Sequence, residues 1–341
     1  MLNLTGIAAF LVVFGTIVLI HELGHFMVAR WSGVMVREFS IGFGPVVARI
    51  RRGLTSYSFR LLPLGGFVRL EGMENLGEGS DPGEDHLPRD DPRRFQNRPL
   101  WQRMATIGAG PAMNFLLAGV LFAVLFVPPV VQELDPQGPA AAAGVQPGDR
   151  LVRVQDVNTP TATRVLRTVL GTEPGDVVEV WVSRQGQSLR FEIRTDPDRP
   201  SGYLGIRMGG PRRPLEALYG GFVEMIDSTG EIIRVVGRMI LGREALNVAG
   251  PIGIYSMVEE AASRGPFSVI GLAAVLNVNL GLINLLPLPV LDGGWLLFMV
   301  LEWVRRRPLE PQFQSLAQVL GFMLLLALML LATYLDLRRL G

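Results

Sequence analysis

The sequence predicts an α-helical polytopic membrane protein with four transmembrane segments, a membrane-associated β-hairpin and one inserted α+β domain. Three observations carry that reading. The 341-residue chain is 49% hydrophobic, its mean hydropathy is +0.33, and 18% of its residues are charged, against about 25% in an ordinary soluble domain. Four apolar runs are long enough to cross a bilayer, which takes about 20 residues. The first two runs are separated by alternating, glycine-punctuated sequence, and the second and third by a stretch of soluble composition.

Residues 1–30 hold the first segment, whose apolar run Leu4–Ile20 leads into His21-Glu22-Leu23-Gly24-His25. No basic stretch precedes the run and no small-residue cleavage site follows, which predicts a retained span rather than a removed signal. Arg30, Arg37, Arg49, Arg51, Arg52 and Arg60 come next, opposed by Glu38. The positive-inside rule puts this side in the cytoplasm and the N-terminus outside. Residues 31–70 are too polar to span, and their alternation around Gly42, Gly44, Gly53 and Gly65-Gly66 predicts short strands with tight turns. Residues 71–103 form a cytoplasmic loop, acidic and rich in Gly and Pro at first, with His86 as a solvated member.

The second segment, 104–131, carries no charge but contains Gly110-Pro111-Ala112-Met113-Asn114. The proline predicts a kink, and an Asn at membrane depth faces the bundle interior. Residues 132–210 read as an α+β module on the outer side, with a helix over Ala162–Leu170 and strands over Arg150–Val157, Val177–Ser183 and Leu189–Thr195. Residues 211–265 are amphipathic and interfacial, with a turn at Pro251-Ile252-Gly253. The third segment, 266–304, is broken by Asn284-Leu285-Leu286-Pro287-Leu288-Pro289-Val290-Leu291-Asp292-Gly293-Gly294. A cytoplasmic loop, 305–315, opens with three arginines, and the fourth segment, 316–341, returns outward.

Chemistry concentrates at residues 21–25. On a helix, residues four apart share a face, so His21 and His25 can aim ring nitrogens at one ion while Glu22 holds a water beside it. This is the H-E-x-x-H pattern of zinc hydrolases, whose catalytic ions take three protein ligands and keep a position for water. A solvated helix face is the ordinary alternative, but two of the chain's three His lie in this motif, inside a membrane-length run. Asp292 is the candidate third ligand, a lone carboxylate in an apolar setting; a protonated or Arg-paired Asp is the other reading. The absence of Cys excludes thiolate ligands and disulfides. A net charge of +1 gives no reason to expect nucleic acid as a partner.

The combination of HELGH, the hairpin ending PLGGFVRL, GPAMN and NLLPLPVLDGG resembles the site-2 protease family of intramembrane zinc metalloproteases, most closely its bacterial regulator-of-sigma-E branch. The resemblance spans nearly the whole chain. It implies that His21, His25 and Asp292 bind Zn²⁺ and that Glu22 is the general base. It implies that Asn284, and Asn114 with it, positions substrate or stabilises the oxyanion. The hairpin over Gly42–Arg69, with Gly65, Gly66 and Phe67, would present the substrate as a strand. It further implies a bacterial inner-membrane location and transmembrane substrates such as anti-sigma factors or remnant signal peptides, while the positive-inside count puts both termini outside. The module at 132–210 would be PDZ-like and take peptide tails; the sigma-E branch has two such domains, and this chain has room for one. Two rival functions are a membrane-anchored zinc peptidase acting outside the bilayer and a non-catalytic PDZ scaffold. By the helical rise of about 1.5 Å per residue His21 and His25 lie in the inner half of the bilayer, which speaks against the first, and Glu22 beside two ligands speaks against the second.

Overall fold

The computed structural model describes residues 4–73, 87–199, 202–243 and 249–340; His86 and most of the acidic loop lie outside them. The chain divides into two compact units, residues 1–117 with 231–341, and residues 118–230.

In the first unit, α1 runs from Leu4 to Trp31. It ends in a Schellman arrangement: Gly33 takes a left-handed φ of 71° and the Val34 N–H reaches back to the Ala29 carbonyl at 2.8 Å. Buried Val34 then directs the chain into two long strands, β1 (Val36–Arg52) and β2 (Thr55–Leu70). Short strands were expected. The register explains both descriptions, because Phe39 lies opposite Val68 and also opposite Tyr57, and Tyr57 also lies opposite Ile50. Each long strand bends back on its partner, so four short stretches lie side by side in the order 48–52, 55–59, 38–41, 66–70. Gly42, at a φ of 90° that side chains disfavour, supplies one bend. Residues 66–70 have a partner in this sheet on one edge only.

Helix α2 runs from Leu100 to Leu125, whereas the sequence suggested 104–131. Pro128 and Pro129 cannot continue a helix, and Val131 begins strand β3 (Val131–Leu134). Beyond the smaller unit, α6 covers Pro251–Arg264 after α5 (Pro214–Ile240). The expected turn at Pro251 is therefore a helix start, with proline at the position where its missing N–H matters least. The side chain of Asp336 accepts from the N–H groups of Gly250 at 3.1 Å and Gly253 at 2.8 Å, taking two of the donors that a helix start leaves unpaired. Helix α7 (Pro266–Asn284), the break at 285–291 and α8 (Asp292–Arg305) make up the interrupted third segment. Helix α9 runs from Pro311 to Leu340 and supplies Asp336. Among the described residues, four helices are long and apolar enough to cross a membrane: Leu4–Trp31, Leu100–Leu125, Pro266–Asn284 and, within α9, Gln312–Arg339.

The second unit contains α3 (Pro139–Ala142), β4 (Arg150–Val154), β5 (Val157–Asn158), α4 (Ala162–Leu170), β6 (Val177–Arg184), β7 (Gln187–Arg194) and β8 (Ile206–Met208). Strands β5-β4-β6-β7 form one antiparallel sheet and β3-β8 a separate pair. Alternation in β6 buries Val178, Val180 and Val182 on one face, where they pack with Leu151, Val154, Ile193 and the α4 residues Val165 and Val169. Full burial of each such side chain contributes about 1.5–3 kcal/mol. Thr161 caps α4 by accepting from the Arg164 N–H at 3.1 Å.

Asp149, 1% exposed, ties the turn before β4 to the end of β6. It accepts from Arg184 Nε and Nη2, both at 2.7 Å, and from the Gln146 N–H at 2.9 Å. Burial alone would raise its carboxyl, but the Arg184 and Gln146 bonds outweigh that and hold it below the usual carboxylate range. A depressed native value stabilises fully above the unfolded value of about 3.9 and is lost as pH falls through the native one. Asp149→Asn is expected to destabilise this unit by about 1–3 kcal/mol at pH 7 and by progressively less in acid. Limited proteolysis of the full-length protein, scoring cuts within residues 118–230 across pH, checks both the loss and its pH dependence.

Candidate metal centre and its cavity

Two helices far apart in the sequence meet at one point. His21 and His25 lie one turn apart on α1, both buried, with ring centroids 4.8 Å apart and planes at 81°. Asp292 opens α8, directly after the 285–291 break. His21 Nε2 and His25 Nε2 are 3.2 Å apart, and Asp292 Oδ2 lies 3.1 Å from the first and 3.5 Å from the second. Ligand atoms of a tetrahedral zinc with bonds of about 2.0–2.2 Å sit about 3.3–3.6 Å from one another. The three donors therefore outline one face of such a tetrahedron. Apart from these two ring nitrogens no group faces buried Asp292 Oδ2 within hydrogen-bond reach, a costly arrangement for a carboxylate unless a cation sits among the three. The donor set is nitrogen and oxygen only, which suits zinc.

Helix α2 backs this point. The His25 Nδ1 N–H donates to the Thr106 carbonyl at 2.9 Å. Two turns on, the Asn114 carboxamide lies 3.1 Å from His21 Nδ1. Between them Gly110 leaves room for both rings, since a Cβ there would stand 2.3 Å from His25 Nε2 and 2.8 Å from His21 Cε1.

In front of the donors is a cavity of about 670 Å³. His21, Glu22, His25 and Asp292 border it, as do Asn284 at the end of α7 and Gly65, Gly66 and Phe67 of β2. Gly66 brings the strand against the carboxylate, for a Cβ on it would be 3.2 Å from Glu22 Cγ. Phe67 stacks on Phe43 with ring centroids 6.4 Å apart, and both line the cavity. Every residue expected at the site from the sequence thus gathers here except Asn114. That residue is fully buried behind His21 and is not part of the cavity lining.

The sequence reading missed Gly110 and the α9 residues Gln318 and Phe322, which close another side of the cavity. Gln318, 7% exposed, is a lone amide in an apolar run, the same signal that drew attention to Asn114. Gly110 gave no signal, because a glycine in a membrane helix usually marks a crossing.

The sequence profile of peptidase family M50 matches residues 9–328. The chain belongs to peptidase family M50. This is the site-2 protease family that the motifs resemble, and membership makes the chain a membrane metalloprotease. Among M50 relatives, a zinc metalloprotease RasP of Geobacillus kaustophilus is 32% identical over 99% of both chains. The regulator of sigma-W protease RasP of Bacillus subtilis is 29% identical over 98% of both. A protein of Agrobacterium fabrum is 38% identical over 98% of this chain and 96% of its own.

Asp292→Ala and Gly110→Val should each lower bound metal from about one ion per chain to a small fraction of one, the first by removing a donor and the second by displacing both rings. Elemental analysis of the protein purified in detergent reads this directly, and an unchanged metal-to-protein ratio in Asp292→Ala would place the ligand elsewhere.

Proposed function

We propose that this M50 member is a zinc endopeptidase that cuts single-span membrane proteins within the bilayer, with anti-sigma factors and remnant signal peptides as candidate substrates. The observation that carries the reading is the triangle of His21 Nε2, His25 Nε2 and Asp292 Oδ2 at 3.1–3.5 Å, opening onto the cavity that Glu22 shares. His21, His25 and Asp292 hold the ion. Zinc supplies Lewis-acid polarisation of the scissile carbonyl and of the attacking water.

The remaining work belongs to side chains and backbone of this chain. Glu22 takes the proton from water as it attacks and returns it to the departing amide nitrogen, a role worth about 10²–10⁴ in rate. Asn284, bordering the same cavity, donates from its carboxamide nitrogen to the carbonyl oxygen as charge develops there; such a donor contributes about 10²–10³. The stretch 66–70 is paired on one edge in its sheet, and Gly65–Val68 border the cavity. An unwound substrate segment adds to that edge as a strand, its backbone held by β2 and its side chains resting against Phe67. Gly66 is what allows the strand to pass so close to Glu22.

The smaller unit is read as PDZ-like. A groove of about 490 Å³ runs between α4, through Val165, Leu166 and Val169, and the chain from Gly202 to Met208. A helix and a short strand flanking a groove suit an extended peptide tail. The positive-inside count puts this unit and both termini outside, the catalytic residues towards the cytoplasmic side, and the protein in the inner membrane of a bacterium.

Glu22→Gln separates binding from chemistry. Reconstituted in liposomes with a doubly tagged single-span substrate, the variant should keep its zinc and lose at least about 10²-fold in cleavage rate. Normal turnover by the variant would remove Glu22 from the chemistry. Mass spectrometry of the wild-type products should place the cut inside the substrate's apolar segment; a cut confined to soluble flanks would favour a peptidase working outside the bilayer.

A further inference from the structure

Asn114 has the wrong address for the role its motif suggested. It sits fully buried in α2, behind the metal centre, with its carboxamide 3.1 Å from His21 Nδ1. Its Oδ1 is buried and has no partner. An imidazole that binds a cation through Nε2 needs the lone pair there, so its single proton resides on Nδ1. The group facing Nδ1 must then accept. His25 meets this demand with a backbone carbonyl, that of Thr106, at 2.9 Å. His21 has no carbonyl in the equivalent place; what faces its Nδ1 is Asn114.

We propose that Asn114 is a positioning residue of the metal centre: its carboxamide oxygen accepts the His21 Nδ1 proton and so presents Nε2 to the ion. The two ends of a carboxamide have the same shape, and a half-turn about its last bond exchanges them. Oxygen facing Nδ1 is the orientation that satisfies both the ring proton and the otherwise orphaned acceptor. Helix α2 then serves both histidines from one face, Thr106 holding one ring and Asn114 the other, with Gly110 between them vacating the space the rings occupy. The polar group at this depth is thus explained without any contact to substrate. Groups that orient a ligating histidine in this way typically change metal affinity 10–100-fold when removed.

This inference rests on the reading of His21, His25 and Asp292 as zinc ligands, and the test tells the two apart. Zinc affinity of the full-length protein in detergent is measured by competition with a chromophoric chelator, for the native chain and for Asn114→Ala, Asn114→Leu and Asn114→Asp. Leu keeps the volume without an acceptor, and Asp keeps the acceptor. Expected is a 10–100-fold loss of affinity in Ala and Leu, recovery in Asp to within a few-fold of native, and altered visible bands of the cobalt-substituted Leu variant. Native-like zinc affinity in both Ala and Leu, or an Asp variant as weak as Leu, overturns the positioning role while leaving the metal centre standing. A native chain that binds no zinc overturns both.

Discussion

Two imidazole nitrogens and a carboxylate oxygen are held 3.1–3.5 Å apart beside an apolar helix, and much of the surrounding structure answers to that closeness. Two imidazoles and a carboxylate crowded into one largely buried place are unstable unless something positive sits among them or every remaining lone pair and proton is met. Charged side chains inside a membrane helix carry a penalty of about 2.5–3.5 kcal/mol each by insertion scales. The protein concentrates its irregularities around that point. The third segment gives up its helix over 285–291 so that Asp292 can begin α8 facing α1. Helix α2 gives up a side chain at Gly110 and contributes a carbonyl and a carboxamide to the two ring nitrogens that face away from Asp292.

The cavity follows from the same centre. Its walls are drawn from α1, the hairpin, α2, the stretch from α7 through the 285–291 break into α8, and α9, pieces of chain that the sequence separates widely. Because β2 curls back beside β1, its last stretch is an outer edge at the height of Glu22, and a glycine rather than a side chain lies against the carboxylate. Recognition through an edge of backbone asks little of substrate side chains and much of substrate conformation: the segment must be extended. A helix-breaking residue in a substrate's span would make that easier.

Local patterns were legible in the sequence and long-range ones were not. The i, i+4 spacing of His21 and His25 is a property of one helix, so the motif alone placed them together. Asp292 could be picked out because two prolines and two glycines around it announced a broken helix. Helix α4 and the strands β6 and β7 were legible to within two residues, since alternation and capping are local. The back-folding of the hairpin was not, because alternation tells which face a residue takes and nothing about which stretch lies beside it. The position of Asn114 was hidden for a related reason: in a helix apolar all round, no polar face marks which way a given residue points. Proline at 251 was ambiguous in kind, as it opens helices and turns alike.

The distance along the chain between His25 and Asp292 has a bearing on how the protein is made. On the ligand set proposed above, an ion that needs residue 292 cannot be captured while only the first spans have left the ribosome, although the carboxylate at 22 has by then long been made. On that reading a half-synthesised chain is inactive, and proteolytic capability arrives late, when the 285–291 break brings Asp292 against the first helix.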